Sequence, residues 1–396
     1  MSGGIVQLVA IGAQDVYLTG KPEVSFYRSS YKRYTHFANS VERQLVSGTP
    51  TAGGISTIRF EKKGDLLSYV YLTARDSNGA LVPNIPWTSS VIDKIDLLIG
   101  GQVIDTQDSV FMNLVEPVTG ASSYNQRLLP GYTASTVTPG SNVNSFQALK
   151  FFFCKDWQSA LPLVALQYHD VELRITWSPN LATATATGNG VNVSGAPKFS
   201  ELQYIVWSNF IYLDQAERDF FAKTAQDMLI TQVQRQFVPT SPVMELAFAH
   251  PVKYLAFTSN NYATVYGVAG TNPGPIAASQ LQFKTQVNGV DIGESKPLLQ
   301  WCDVTQYFHT PYGYASQGAA SNVAIVPFCL DTAKLQPTGT LNFSRIDTYR
   351  IVTPTTINVT NLIANAPTGI TTGYVYAVNY NVLRIQNGMG ALLYSS

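Results

Sequence analysis

The chain has 396 residues, with 25 Lys plus Arg balanced by 25 Asp plus Glu, so its net charge is zero and only 13% of its residues are charged. That length excludes a small disulfide-stapled fold and has room for two large β-sandwiches. A broad nucleic-acid-binding face is excluded too, because neutralising phosphates takes a surplus of cations. With 45% hydrophobic residues, 22 Tyr, 19 Phe, 29 Gly and 21 Pro, the composition is all-β: short apolar runs separated by tight turns. So little charge also removes electrostatic repulsion between copies, which points to a chain that lives in an assembly.

Taken from the N-terminus, MSGGIVQLVAIGAQD has no basic region before its apolar stretch, and Gly12 breaks that stretch. Neither a secretory signal nor a membrane anchor is expected there. Residues 1–25 show no clean strand alternation and read as an N-terminal arm, with a first sandwich over 26–212. Lys21 to Arg43 interleaves Arg28, Lys32, Arg33 and Arg43 with Phe26, Tyr27, Tyr31, Tyr34 and Phe37. Stacking on single-stranded nucleic acid uses such a pattern, but so few cations bind weakly at physiological salt. The run is expected to be a docking arm with a basic patch, without direct nucleic-acid contact.

In VIDKIDLLIGGQVIDTQ, Gly100 and Gly101 sit between two alternating runs and suit the left-handed dihedrals of a two-residue hairpin. Asp93 with Asp96, and Asp170 with Glu172, are the closest carboxylate pairs; on strands they are expected to face solvent, not each other across a cleft. Long low-complexity loops begin at Pro130, Ser178 and Val268 and are expected to project from one end of a sandwich. Residues 213–230 break the β rhythm: Leu213, Ala216, Phe220 and Met228 recur at helical spacing, and Asp214 with Glu217 forms a capping box. A linker with a short helix is therefore expected over 213–235, with a second sandwich over 236–396. Asn288 and Gly289 repeat the hairpin device there, which fits either an internal duplication or a turn common to any β protein. In LNFSRID, a strand period puts Phe343, Arg345 and Asp347 on one face, where the charges could meet partners on a neighbouring sandwich or subunit.

No catalytic constellation appears. The histidines 36, 169, 250 and 309 have no metal-binding spacing, and no nucleophile elbow or phosphate-binding loop is present. Cys154, Cys302 and Cys329 are isolated in apolar sequence and read as reduced core thiols. No enzyme activity, cofactor or metal is expected. Sequons at Asn192, Asn342 and Asn358 are possible glycan acceptors.

Five blocks now become specific: GGIVQLVAIGAQDVYLTGKPEVSFYRSSYKRYTHFA, IGGQVID, LPLVALQYHDVELRI, PTGTLNFSRID and YAVNYNVLRIQNGMGALLYS. In this order they resemble the major capsid proteins of nucleocytoplasmic large DNA viruses of algae and amoebae. Ile11, Lys21 and Ala391 depart from residues usual in that family. The resemblance implies a double jelly roll, two tandem eight-stranded antiparallel sandwiches, whose homotrimer forms a pseudo-hexagonal capsomer of an icosahedral virion. It implies neighbouring capsomers and minor capsid proteins beneath the shell as partners, proximity to an internal viral membrane, and assembly in the host cytoplasm. The alternatives are a minor or penton-associated jelly-roll capsid protein and a carbohydrate-binding β-sandwich lectin.

Overall fold

Apolar residues alternate along most of the chain, and the strands that form bury the apolar face of each run. In the computed structural model, the described residues are 12–82, 85–87, 91–120, 143–144, 146–179, 181, 198–239, 243–259, 282–297, 300–310, 323–353 and 372–394. Two compact units result, Met1–His36 and Phe37–Ser396. Among the described residues the first holds one helical turn, Val16–Thr19, and no strand.

The first sandwich is built from β1 (Phe37–Gln44), β2 (Ile55–Arg59), β3 (Leu66–Arg75), β4 (Ile92–Ile99), β5 (Gln102–Asp108), β6 (Leu161–Pro162), β7 (Val171–Trp177) and β8 (Gln203–Leu213). One sheet runs β1-β8-β3-β6 and the other β2-β7-β4-β5, antiparallel throughout. Helix α1 (Gln215–Lys223) follows. The second sandwich has β9 (Gln226–Pro239), β10 (Val243–Leu246), β11 (Pro251–Ser259), β12 (Gln282–Val287), β13 (Val290–Pro297), β14 (Ala324–Pro327), β15 (Tyr349–Val352) and β16 (Thr372–Gln386). Its sheets run β9-β16-β11-β14 and β10-β15-β12-β13. Counting from each sandwich's own first strand, both have the order 1-8-3-6 over 2-7-4-5. This is a jelly roll written twice. A last strand, β17 (Met389–Leu392), folds back on β16.

Period two explains the burial. On β7, Val171, Leu173, Ile175 and Trp177 are buried while Glu172, Arg174 and Thr176 alternate with them. On β3, Val70, Leu72 and Ala74 enter the first core, leaving Tyr69 and Tyr71 on the opposite face, where Tyr71 stacks on Tyr69 and Trp207. In FFFCKDW, Phe151, Phe152 and Phe153 are buried in that core, while Lys155 and Trp157 are exposed.

The hairpin residues lie at equivalent places in the two sandwiches, between the fourth and fifth strands of each. Gly100 and Gly101 have φ of 58° and 81°, and Asn288 and Gly289 of 50° and 80°, the left-handed pair that a two-residue turn on a right-twisted ribbon requires. Asn387 and Gly388, at 53° and 79°, make a third such turn between β16 and β17.

Two expectations are corrected. The linker helix stops at Lys223, capped at Asp214, whose carboxylate accepts from the Gln215 N–H at 2.6 Å. Met228 therefore lies on β9, because the residues from Gln226 onward take their hydrogen bonds from β16 instead of from a further helical turn. In LNFSRID the strand ends at Asn342 and Phe343–Arg345 is a 3-10 turn, with the Asn342 side chain accepting from Ser344 N. That turn breaks the strand period, so Phe343 is buried while Arg345 and Asp347 are exposed. The three long loops lie outside the described residues except for Ser178, Pro179, Leu181 and Lys198.

The turn glycines generate a graded prediction. A Cβ on Gly101 or Gly289 meets open space, whereas one on Gly100 would lie 2.4 Å from the His169 ring. Gly101→Val and Gly289→Val should cost roughly 1–3 kcal/mol through dihedral strain and lower the yield of soluble protein. Gly100→Ala should cost more than Gly101→Ala, measured by denaturant unfolding of the two variants side by side.

Candidate functional site: the joint between the sandwiches

Two fused sandwiches are held at one angle by what lies between them, and this joint is where buried polar chemistry concentrates. After β5 the chain turns into an irregular helical segment, Phe111–Thr119. Val110, just before it, and its Phe111, Val115 and Val118 pack with Tyr254, Ala256, Ile325, Tyr376 and Val378 of the second sandwich.

Asp108, at the end of β5, lies beneath this apolar seam and is buried. Its Oδ1 accepts from the Phe111 N–H at 2.7 Å, and its Oδ2 accepts from Arg235 Nη1 at 2.7 Å and the Tyr376 hydroxyl at 2.6 Å. Arg235 and Tyr376 are directly opposite each other across β9 and β16, so one carboxylate clasps two neighbouring strands. The guanidinium is also held between rings, 5.2 Å from the centre of Phe237 and 5.0 Å from that of Tyr374. Burial and the Asp108 charge push the Tyr376 hydroxyl well above its ordinary value, so it stays protonated and donates.

Three residues earlier, buried Asp105 accepts from the Val233 N–H through Oδ1 at 2.9 Å and from Gln107 Nε2 through Oδ2 at 2.8 Å. No cation pairs with it directly among the described residues, and burial pushes its carboxyl up to about 6. At the far end, β17 docks on the first sandwich. Tyr168 N donates to Gly388 O at 3.0 Å, and His169 Nδ1 lies 3.0 Å from Gly390 O and 3.2 Å from Gly390 N. A Cβ on Gly390 would meet the Leu166 side chain at 2.8 Å and that of Ile99 at 3.3 Å, so any side chain there would have to displace these buried neighbours.

The residues singled out from sequence fall mostly elsewhere. Asn288 does more than turn: its Oδ1 accepts from Asp347 N and Thr348 N, both at 3.0 Å, tying the segment after LNFSRID to the hairpin. Phe343 packs on Phe248, Phe328 and Tyr349 inside the second core. Arg28, Lys32 and Arg33 fall in the unit Met1–His36, and Arg43 is exposed on β1. Asn342 is exposed, and Asn192 and Asn358 lie outside the described residues. The expectation of solvent-facing carboxylates is corrected at Asp96, which is buried and bound by Arg174 at 2.7 and 2.9 Å and by Thr106 Oγ1 at 2.9 Å. Cross-strand register places Arg174 directly opposite it on β7, and the ion pair removes the reason for Asp96 to seek water. Cys329 is buried and Cys154 half-buried, both unpaired thiols whose ionisation burial opposes. Asp105, Asp108 and Gly390 were not singled out from sequence; the only local signal was QNGMG, whose Asn-Gly repeats the other two turns.

Comparison with known proteins gives the geometry a context. A family model described as major capsid protein N-terminus matches residues 25–214, and one described as large eukaryotic DNA virus major capsid protein matches residues 217–391. The major capsid protein of Pyramimonas orientalis virus is 30% identical over 424 aligned residues, and that of Paramecium bursaria Chlorella virus 1 is 31% identical over 452, each alignment covering all of both chains. Among solved structures, a quasi-atomic model of the PBCV-1 virus capsid matches with a TM-score of 0.73 at 27% identity, over 94% of this chain and all of that one. The Faustovirus major capsid protein, at 11% identity and a TM-score of 0.61 over 97% of each chain, shares the fold.

Two expectations follow from the joint. Asp108→Asn should lower unfolding stability by roughly 1–2 kcal/mol, because the buried carboxylate loses its charge-assisted bonds to Arg235 and Tyr376 while the Arg235 side chain, 35% exposed, keeps part of its solvation. For Asp105 the folded-state value, about 6, lies above the ordinary 3.8. The folded protein therefore binds the proton first, and Asp105 disfavours folding most above about pH 6. Between about pH 7 and pH 5 the wild-type chain should gain about 1 kcal/mol relative to Asp105→Asn, measured as unfolding free energies of both at each pH.

Proposed function

The chain belongs to the major capsid protein family of large eukaryotic DNA viruses, and from that premise we propose how it builds a shell. It is a structural protein of the virion capsid. Similarity along its whole length to proteins named major capsid protein favours this role over a minor capsid protein or a lectin.

Three copies associate into one capsomer. The observation that carries this is the same strand order in two sandwiches fused through a buried polar joint. Three such chains present six similar sandwiches, which approximate a hexagon and tile a closed surface with neighbouring capsomers. With zero net charge, nothing electrostatic keeps copies apart. Capsomers then meet minor capsid proteins on the inner side, near an internal viral membrane, and assembly takes place in the host cytoplasm. Residues 1–25 form an arm that makes contacts between or below capsomers, followed within the same unit by the basic residues Arg28, Lys32 and Arg33. The strands of the two sandwiches fall within 37–213 and 226–392, so the linker expected over 213–235 narrows to 214–225, because β9 already pairs with β16 from Gln226.

Sedimentation at micromolar concentration should show a trimer, since interfaces of this kind bury well over about 2,000 Å²; a stable monomer contradicts the proposal. Deleting residues 2–20 should leave the melting temperature and the trimer unchanged while reducing incorporation into shells. A large fall in melting temperature would instead make the segment an essential part of a sandwich.

A further inference from the structure

Beside the joint, the outward face of β3 and the outward faces of β9, β11 and β16 enclose a cleft of about 810 Å³, within the range of small-molecule sites. Its walls are largely apolar, including Tyr71, Leu149, Leu229 and Val378. Neither sandwich fills it, although interiors ordinarily pack closely.

Lys150, Lys155, Lys253 and Lys334 line this cleft; Lys150 is paired with Glu116 and Lys334 with Asp331, and Lys155 is exposed, which leaves Lys253 as the buried cation without an anion among the described residues. The pairing of β11 with β16 shifts register between Val252 and Tyr254, so Lys253 is the extra residue of a β-bulge, a device that re-aims a side chain. Lys253 and Tyr254 both line the cleft as a result. Lys253 is only 4% exposed. Its Nζ donates to Thr332 O at 3.0 Å and lies 5.2 Å from the centre of the Tyr380 ring, and it forms no ion pair among the described residues. An ammonium has three donors, and a buried one without an anion is costly. Burial accordingly lowers it to about 8, which still leaves it charged at neutral pH. Tyr380 also lines the cleft, and its hydroxyl is buried with no hydrogen-bond partner among the described residues; buried hydroxyls ordinarily have one.

We propose that this cleft binds an amphipathic monocarboxylate of the fatty-acid class, its carboxylate held by Lys253 and the Tyr380 hydroxyl and its alkyl chain laid between Tyr71, Leu149, Leu229 and Val378. The carboxylate supplies the anion that the ammonium lacks and an acceptor for the orphaned hydroxyl. The alkyl chain covers the apolar walls. A ligand held in this way bridges the two sandwiches and reinforces their fixed angle.

Isothermal titration of the full-length protein in its native assembly with sodium dodecanoate, below its micelle concentration, tests the assignment. The expected result is saturable binding of one molecule per chain, at least tenfold weaker for dodecan-1-ol. Lys253→Met should weaken dodecanoate at least tenfold and Tyr380→Phe a few-fold, with the melting temperature of each variant confirming its fold. Should Lys253→Met not fold, Leu229→Glu on the half-exposed cleft wall sets a like charge against the carboxylate and should give the same loss. Absence of saturable binding to the native assembly, as when a second copy fills the cleft, overturns the proposal. So does equal affinity for the alcohol, or unchanged affinity in a folded variant at Lys253 or Leu229.

Discussion

A single buried carboxylate sets the relation between the two halves of this protein. Asp108 belongs to the first sandwich, and both groups that neutralise it through Oδ2, Arg235 and Tyr376, belong to the second. An apolar seam alone tolerates sliding, because one methyl contact replaces another at little cost. A desolvated charge does not, since moving the buried Asp108 carboxylate off its donors leaves it unpaired, even though the Arg235 side chain is 35% exposed and keeps part of its solvation. Asp105, reading the Val233 N–H on the same strand β9, adds a second fixed point two residues away in register. The joint is thereby specified as a position, beyond being stabilised as a contact.

Strand β16 carries that position through the rest of the molecule. Its Val375 and Ala377 enter the second core, Tyr376 and Val378 the joint, and Leu383 and Ile385 the first core. Fifteen residues of one strand thus serve three apolar clusters, and its twist relays any change of angle to all of them. The turn at Asn387 and Gly388 then returns the chain as β17, where the missing side chain of Gly390 lets its backbone reach His169. Polar clasp at one end and glycine contact at the other hold β16 against the first sandwich like a spline.

What was legible in the sequence was local. Alternation along VELRITW, the Gly-Gly and Asn-Gly dipeptides, and the Asp214 cap act within a few residues, and each reads the same with or without the remainder of the chain. The illegible parts depend on partners far away: Asp108 lies 127 residues from Arg235 and 268 from Tyr376, and a lone aspartate on a polar-alternating strand gives no hint of them. Asp96 was misread for the same reason, its cation being 78 residues distant. LNFSRID failed differently. There the local rule was sound, but the Asn342 side chain offered Ser344 N an acceptor that competes with the sheet ladder, and burial of Phe343 among Phe248, Phe328 and Tyr349 decided for the turn.

The scarcity of charge takes on a structural meaning in this light. Asp96, Asp108 and Glu116 are buried carboxylates paired with the part-exposed Arg174 and Arg235 and the buried Lys150, so part of a small complement of charges fixes geometry. The outer surface is left with exposed apolar side chains such as Val290 and Ile292 on β13, and Tyr307, Phe308 and Leu330. A monomer that had to remain dispersed would place its charges the other way round, since exposed like charge is what keeps copies separate. A subunit whose working surface is completed by further copies gains from the arrangement found here. Its interior is rigid enough to repeat without error, and its exterior carries too little charge to oppose contact.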